Sequence, residues 1–499
     1  MSVETIPLTA ANLTAVGERV PVPGYDRDAV TAGVVHFGVG GFHRAHQAMY
    51  LDRLLEEDFE AAREYGICGV GVLPGDARMR DALAAQDRLY TLVLKHPDGR
   101  LEPRVVGSMV EYLFAPDDPE AVVEKLADPG TRIVSLTVTE GGYNLDDITG
   151  QFVTGTPAVA ADAAAGADAG RLSTVFGFVV EALVRRRERG LDPFTIMSCD
   201  NLQGNGHLAK TAFAAFAALR DPALGEWVGE NVRFPNSMVD RITPATTPAD
   251  VDLVAREFGI ADAWPVVCEP FTQWALEDAF AAGRPPLERV GVQVVPDVEP
   301  YELMKLRLLN ASHQGLAYFG RLLDHELVDA AATDPALAPF VRAYMDAEAT
   351  PTLAPVPGVD LEEYKDTLME RFGNPHVRDT TARLAAESSD RIPKWLVPVA
   401  RANLEAGRDV HRAAAIVASW ARYAEGVDEH GEPITVVDRR QDRVLAAARR
   451  QLGEDPLAFL RDRELFGDLA ENEEFTTAYR RALDDLHRDG ARATLERLL

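Results

Sequence analysis

Lys305, Asn310 and His313 lie in the stretch KLRLLNASH, three polar residues set among leucines. On an α-helix, at about 100° per residue, Lys305, Leu309 and His313 fall near ~0°, ~40° and ~80°, with Asn310 near ~140°. The three polar groups share one side of the helix. Met304, Arg307 and Leu308 take the remainder, so the helix is expected to be apolar on more than one side and substantially buried. A buried ammonium is costly unless it is paired or loses its proton. Desolvation favours the neutral amine, and a neutral lysine is a competent general base. Spacing alone equally accommodates a snorkelling lysine, a capping asparagine and a core histidine.

A second polar cluster is Ser198-Cys-Asp-Asn-Leu-Gln-Gly-Asn-Gly206, at the carboxyl end of a predicted strand, where open α/β sheets bind ligands. Asp200 or Asn201 could equally cap a helix there. The neighbouring pair Asp240-Arg241 is, by itself, a surface contact of little energy. Tyr301 precedes Lys305 by four positions, the tyrosine–lysine spacing of short-chain dehydrogenases. It follows Pro300, outside the predicted nucleotide fold, and is expected to be a first-turn packing residue.

A dinucleotide fingerprint is the candidate cofactor site. Gly38-Val-Gly-Gly-Phe-His-Arg44 follows the apolar strand Gly33–Gly38 and opens a helix; two glycines let the backbone approach a pyrophosphate beside oriented N–H donors. His43 replaces the third glycine of G-x-G-x-x-G. Asp76 is the acidic candidate for the adenosine ribose, 36 positions beyond Gly40 against a usual spacing of about 20. Its charge would repel a 2′-phosphate and favour NAD, while Arg78 keeps NADP open.

The elements that must position these groups alternate. Strands are predicted at Gly33–Gly38, Gly66–Leu73, Tyr90–Leu94, Arg132–Val138 and Phe194–Ser198, with helices at Pro119–Leu126, capped by Asp118, and Leu172–Arg187. Ala160–Gly170 is expected to be a loop. Continuous apolar strands between helices imply a mostly parallel sheet covered on both faces. Beyond about residue 296 amphipathic helices take over, at Thr380–Ala386, Leu396–Ala406, Val410–Glu425 and Phe475–Leu499. The expected organisation is α/β plus α: an expanded Rossmann-like domain over 1–295 and a mainly helical catalytic and substrate domain over 296–499.

With 499 residues, 46% hydrophobic and 26% charged, the chain can bury a large core. A net charge of -28 argues against general affinity for nucleic acid or anionic membranes. The amino terminus lacks a cationic start and apolar run, and no stretch approaches the apolar length of a membrane span, so a soluble, cytoplasmic protein is expected. Cys68, Cys199 and Cys268 are too scattered for a CxxC-type zinc site and are expected to be buried thiols.

Six ordered blocks, GVGGFHRAHQAMY, SLTVTEGGY, MSCDNLQGNG, FPNSMVDRITP, EPFTQWALED and KLRLLNASHQGLAYFG, strongly resemble the polyol-specific long-chain dehydrogenases, the mannitol 2-dehydrogenase family, along essentially the whole chain. The resemblance implies metal-independent, NAD(P)-linked interconversion of a polyol and a ketose, D-mannitol and D-fructose first, by a monomer or homodimer. It implies that Lys305 is the general base, that Asn201 and Asn310 stabilise the developing alkoxide, that His313 orients the substrate hydroxyl, and that Glu302 assists proton exchange. The implied cofactor set is Gly38, Gly40, Gly41, Phe42, Arg44, Asp76, Glu140 and Asn201. Asp240, Arg383 and Arg391 are the implied contacts to the polyol chain. Relatives commonly carry lysine where this chain has Arg391, and a guanidinium can clamp a carboxylate as an ammonium cannot. Fructuronate reductase, whose uronate carboxylate Arg383 and Arg391 could serve, and D-arabinitol dehydrogenase share these blocks and are rivals. A cofactor-binding carbohydrate sensor without catalysis is a rival of another class.

Overall fold

Short β-branched runs build the first domain. In the computed structural model, which describes residues 4–146, 150–453 and 455–499, five such runs pair: β1 (Val34–Phe37), β2 (Ile67–Gly71), β3 (Met109–Phe114), β4 (Ile133–Leu136) and β5 (Thr195–Ser198). They form one sheet in the order β3-β2-β1-β4-β5, every neighbour parallel. Strand order reverses between β1 and β4, the switch point at which such sheets bind ligands. Alternation along β1 feeds two cores. Val35 and Phe37 pack with Val123, Val179 and Leu183, whereas Val34 packs with Met49, Leu51 and Tyr90.

Helices cover these faces where the local chemistry starts them. Around β1, α1 (Gly41–Ala45) follows the glycine turn. Asp118 accepts from Ala121 N at 3.0 Å to open α2 (Pro119–Ala127), and Thr174 accepts from Gly177 N at 3.1 Å to open α3 (Val175–Glu188). After β5 comes α4 (Asn205–Arg220).

Two expectations need correction. Tyr90–Lys95 is not a strand of the main sheet; it pairs antiparallel with Leu101–Val106 and parallel with Val266–Cys268 in a separate sheet. The turn Pro97-Asp98-Gly99, with Gly99 at φ +86, makes it half of a hairpin. Its place in the main sheet goes to β3, whose side chains are mostly half-buried. The expected loop Ala160–Gly170 begins as a helix, Pro157–Ala165, because Pro157 suits the first turn and alanines carry it on to Gly166. A third sheet joins Ser237–Asp240, Gln273–Glu277 and Gln293–Val295, setting Asp240 opposite Gln273.

The chain divides into two compact units, Met1–Glu299 and Pro300–Leu499. In the second, α5 (Ala311–Leu322) is buried along nearly its whole length and packs against α6 (His411–Tyr423). Trp420 of α6 stacks on Tyr318 of α5 at 6.1 Å and meets Phe459 edge-on at 4.9 Å. The terminal helix α7 (Glu473–Leu498) packs on α6 and bends at Gly490, φ +82. Among the described residues no helix is long and apolar enough to cross a membrane.

One buried polar pair sits where β1 meets α1. His36 and His43 stack with centroids 3.4 Å apart and planes 12° from parallel. His36 Nδ1 meets Ser135 Oγ at 2.8 Å and Nε2 meets Thr137 Oγ1 at 3.0 Å. Burial pushes the His36 pKa down to about 3 and that of His43 well below its usual value. Both native rings are neutral, so stability is full above the unfolded value near ~6.5 and is lost as pH falls from there toward the native values. His36, with its native value near 3, should remove about 2 kcal/mol of stability between pH ~7 and ~5, and His43 acts in the same direction. In urea titrations His43→Phe, which keeps a ring and removes one titration, should lose less stability than the wild type over that interval; an equal loss refutes the assignment.

Candidate active site

The first glycine of the turn has a steric reason. Gly38 has φ +95, and a Cβ there would lie 2.0 Å from the Thr137 carbonyl oxygen. Gly40 and Gly41 differ: the nearest atoms to an added Cβ are Gly38 O at 3.8 Å and Thr243 Cγ2 at 3.5 Å. The outer side of the turn is bare backbone, a cradle that a Cβ would fill and a pyrophosphate can use. Phe42, half-buried, stacks on His46 at 5.0 Å.

Arg44 departs from the expected cofactor contact. It is fully buried, donates through Nη1 to the Trp264 carbonyl and through Nε to Gly40 O at 3.4 Å, and lies 5.2 Å from the Tyr90 ring centre. The guanidinium braces the turn from within the protein. Asp76 lies just beyond β2, and one of its oxygens accepts from Val72 N and Leu73 N, both at 2.9 Å. These two bonds commit one oxygen of Asp76, the residue expected at the ribose, to the backbone turn after β2. Arg78, the residue that kept NADP open, lies over the Trp264 ring at 4.6 Å.

Glu140 and Asn201, both exposed, follow β4 and β5 at the carboxyl edge of the sheet. Asp200 links the two strand ends and caps no helix. Its carboxylate accepts from Thr139 N at 2.9 Å, Val138 N at 3.1 Å and the Tyr143 hydroxyl at 2.7 Å. Thr139, a β-branched residue at φ +64, is held in a strained conformation by this latch. Burial pushes the Asp200 carboxyl up to about 6, against the opposing pull of the Tyr143 hydroxyl and the two N–H donors. Asp200, Thr139 and Tyr143 are absent from the expected site; the ambiguous Asp200-Asn201 pair was their only local signal.

Asp240 is buried, not at the surface, and Arg241 beside it donates to the Ala45 carbonyl at 2.6 Å and the Glu269 carbonyl at 3.0 Å. Arg241 thereby places positive charge at the carboxyl end of α1.

In the second domain Glu302, Lys305, Asn310 and His313 fall on one continuous helix, all buried, with Lys305, Asn310 and His313 7%, 4% and 8% exposed. The α-helical wheel does not describe it. Glu299–Met304 is α, Lys305–Asn310 is a π segment, and α5 resumes at Ala311. Closure by i→i+5 bonds puts more residues in the turn and changes the bearing of Lys305 relative to Asn310 and His313. His313 packs on Phe372 at 4.6 Å. The Tyr301 hydroxyl donates to Pro357 O at 2.7 Å, so the phenol is a packing and anchoring group.

The segments that carry Arg383 and Arg391 are tied to the same helix. Gln314 Nε2 donates to Leu384 O at 3.4 Å, and the Tyr318 hydroxyl lies 2.6 Å from Ser388 Oγ. Arg383 holds the Asp379 carboxylate through two nitrogens. Arg391 donates to Leu384 O at 2.7 Å and lies over the Trp395 ring at 5.6 Å. Among the described residues no three His, Cys, Asp or Glu side chains group so as to hold a metal ion.

Comparison with known proteins covers both domains. The profile of the mannitol dehydrogenase Rossmann domain matches residues 32–289, and that of the mannitol dehydrogenase C-terminal domain matches 297–487. A mannitol 2-dehydrogenase of Aspergillus fumigatus is 45% identical, covering 99% of both chains, and one of Phaeosphaeria nodorum is 44% identical over 98% of this chain and 85% of its own. The solved ternary complex of Pseudomonas fluorescens mannitol 2-dehydrogenase with NAD and D-mannitol is 44% identical, with a TM-score of 0.89 and 99% coverage of both chains. A substrate-free D-sorbitol dehydrogenase is 38% identical, with a TM-score of 0.88, covering 98% of this chain and 100% of its own. With both domains matched and relatives aligned nearly end to end, the chain belongs to the mannitol dehydrogenase family of oxidoreductases.

Proposed function

We propose that the chain interconverts a polyol and a ketose, D-mannitol and D-fructose first, with NAD as the redox partner, Lys305 as general base and no metal. The observation that carries this is the burial of Lys305, Asn310 and His313 on one α–π–α helix, in a chain aligned end to end with mannitol 2-dehydrogenases. On the cofactor side, the bare backbone of Gly40 and Gly41 fits a pyrophosphate, and Asp76, Glu140 and Asn201 stand at the same sheet edge. The acidic Asp76 and the engagement of Arg78 on Trp264 support NAD over NADP. When bound, NAD supplies the acceptor for the hydride that leaves the carbinol carbon.

The side chains do the rest. An amine withdrawn from water gives up its charge more readily, so Lys305 can take the hydroxyl proton. Asn310 offers an N–H to the oxygen as negative charge grows, a contribution of about 3 kcal/mol for a donor of this kind. His313 fixes the hydroxyl, and Glu302, one turn before Lys305, passes the proton onward. Lysine and amide together supply the base and the polarising donor that a metal supplies elsewhere. The substrate assignment draws support from the two arginines: Arg383 already holds Asp379, and Arg391 donates to a backbone carbonyl and stacks on Trp395. Both commitments weigh against a uronate clamp and for a neutral sugar.

Lys305→Ala should lower turnover by about a thousandfold or more, while fluorescence titration shows NADH binding unchanged; an active variant refutes the base assignment. With NADH, the protein should reduce fructose in preference to fructuronate, tagaturonate and xylulose, and turnover of fructuronate without fructose would reverse the substrate order. The Asp200 latch needs an ionised carboxylate, populated above about 6 and lost below it. NADH affinity should therefore weaken as pH falls through that value, and Asp200→Asn should bind about tenfold more weakly with a flatter profile; parallel profiles exclude the latch.

A further inference from the structure

The π segment that carries Lys305 is not alone in its domain. A second one, Met345–Ala349, continues the helix Leu337–Tyr344 and packs against the first. Two side chains cross between them in opposite directions. The Tyr344 hydroxyl donates to the Arg307 carbonyl, in the middle of the first π segment, at 3.3 Å. Arg307 Nη1 donates to the Thr352 carbonyl, just beyond the second, at 2.5 Å. The first segment is thus tied at Arg307 to the residues on either side of the second, Tyr344 before it and Thr352 after it.

The second segment is itself well anchored. Glu348, fully buried, accepts from Arg412 N at 2.7 Å and Ala413 N at 2.8 Å at the start of α6, and Asn403 Nδ2 donates to the Glu348 carbonyl at 2.8 Å. Met345 and Ala349 are also fully buried. Tyr344 therefore reaches the lysine-bearing turn from a fixed base. A π turn is less stable than an α turn and persists where surrounding contacts over-determine it. Relaxation of residues 305–310 toward α geometry would rotate Lys305 relative to Asn310 and His313, and a misplacement of about 1 Å can cost about a hundredfold in rate.

We infer that Tyr344 is a positioning residue for the reaction: with Arg307 it clasps the π turn that aims Lys305. This rests on Lys305 being the base, and the experiment separates the two claims. Tyr344→Phe removes only the hydroxyl and leaves the ring in the core. Kinetics are measured for wild type, Tyr344→Phe, Lys305→Ala and the double variant with mannitol and NAD, with Arg307→Met as a second way to open the clasp. The expected result is a kcat lowered about tenfold in Tyr344→Phe and in Arg307→Met, with KM and NADH affinity within about twofold of wild type. In the Lys305→Ala background Tyr344→Phe should have no further effect, because the group it aims is gone. An undiminished kcat in Tyr344→Phe while Lys305→Ala is inactive overturns the clasp alone. Equal losses from Tyr344→Phe with and without Lys305 also overturn it, since the hydroxyl would then act through something else. An active Lys305→Ala overturns the base assignment, and with it the clasp's purpose.

Discussion

An amine nitrogen taken almost out of water must be paired or neutral, and the helix around Lys305 is built on that constraint. The chain carries this lysine on an unusual element. Six residues, Lys305–Asn310, leave α geometry in the middle of an otherwise regular buried helix. Such a turn is stable only while its surroundings insist on it, and they do so from several sides. Tyr344 and Arg307 tie it to the flanks of a second π segment, and in the α5 turns that follow, Gln314 reaches the Leu384 carbonyl and Tyr318 joins Ser388. The aromatic packing of Tyr318 on Trp420 then carries the support into α6.

The dinucleotide-binding domain solves a related problem with backbone. Gly38 must turn against the Thr137 carbonyl, and Gly40 and Gly41 must leave their outer side uncovered. Buried polar groups stand behind them: Arg44 on the Trp264 carbonyl, Arg241 on the Ala45 carbonyl, and Asp200 across the ends of β4 and β5. Each is a charged side chain whose burial is offset by hydrogen bonds to main-chain groups. None needs to touch a ligand to matter, because each holds main chain that a ligand would touch.

Much of this was legible in the residues themselves. The apolar runs that become β1, β2, β4 and β5, the Asp118 cap and the glycine turn follow from periodicity and local chemistry. The strand β3 was not, because its side chains are mostly half-buried and include Glu111, so it lacks the continuous apolar signature of its neighbours. Tyr90–Lys95 carried that signature but sits in another sheet, a matter of long-range pairing that only the Pro97-Asp98-Gly99 turn hinted at. Arg44 belongs to the cofactor set that the resemblance implies; its burial involves Trp264, distant in sequence. The π turn is invisible to a wheel drawn at fixed pitch, since propensity gives no cue for it and the tyrosine that reaches it lies 37 residues from its hydrogen-bond acceptor.

The chemistry of the site turns on whether the Lys305 amine itself takes the proton. The direct measurement is turnover of Lys305→Ala in the presence of small primary amines of graded basicity, which can enter the space left by the side chain. If the amine is the base, activity returns in proportion to the concentration of free amine and rises with amine basicity along a linear free-energy relation. If saturating amines of every basicity leave the variant as inactive as buffer alone, while it still binds NADH, lysine is serving structure and the proton goes elsewhere.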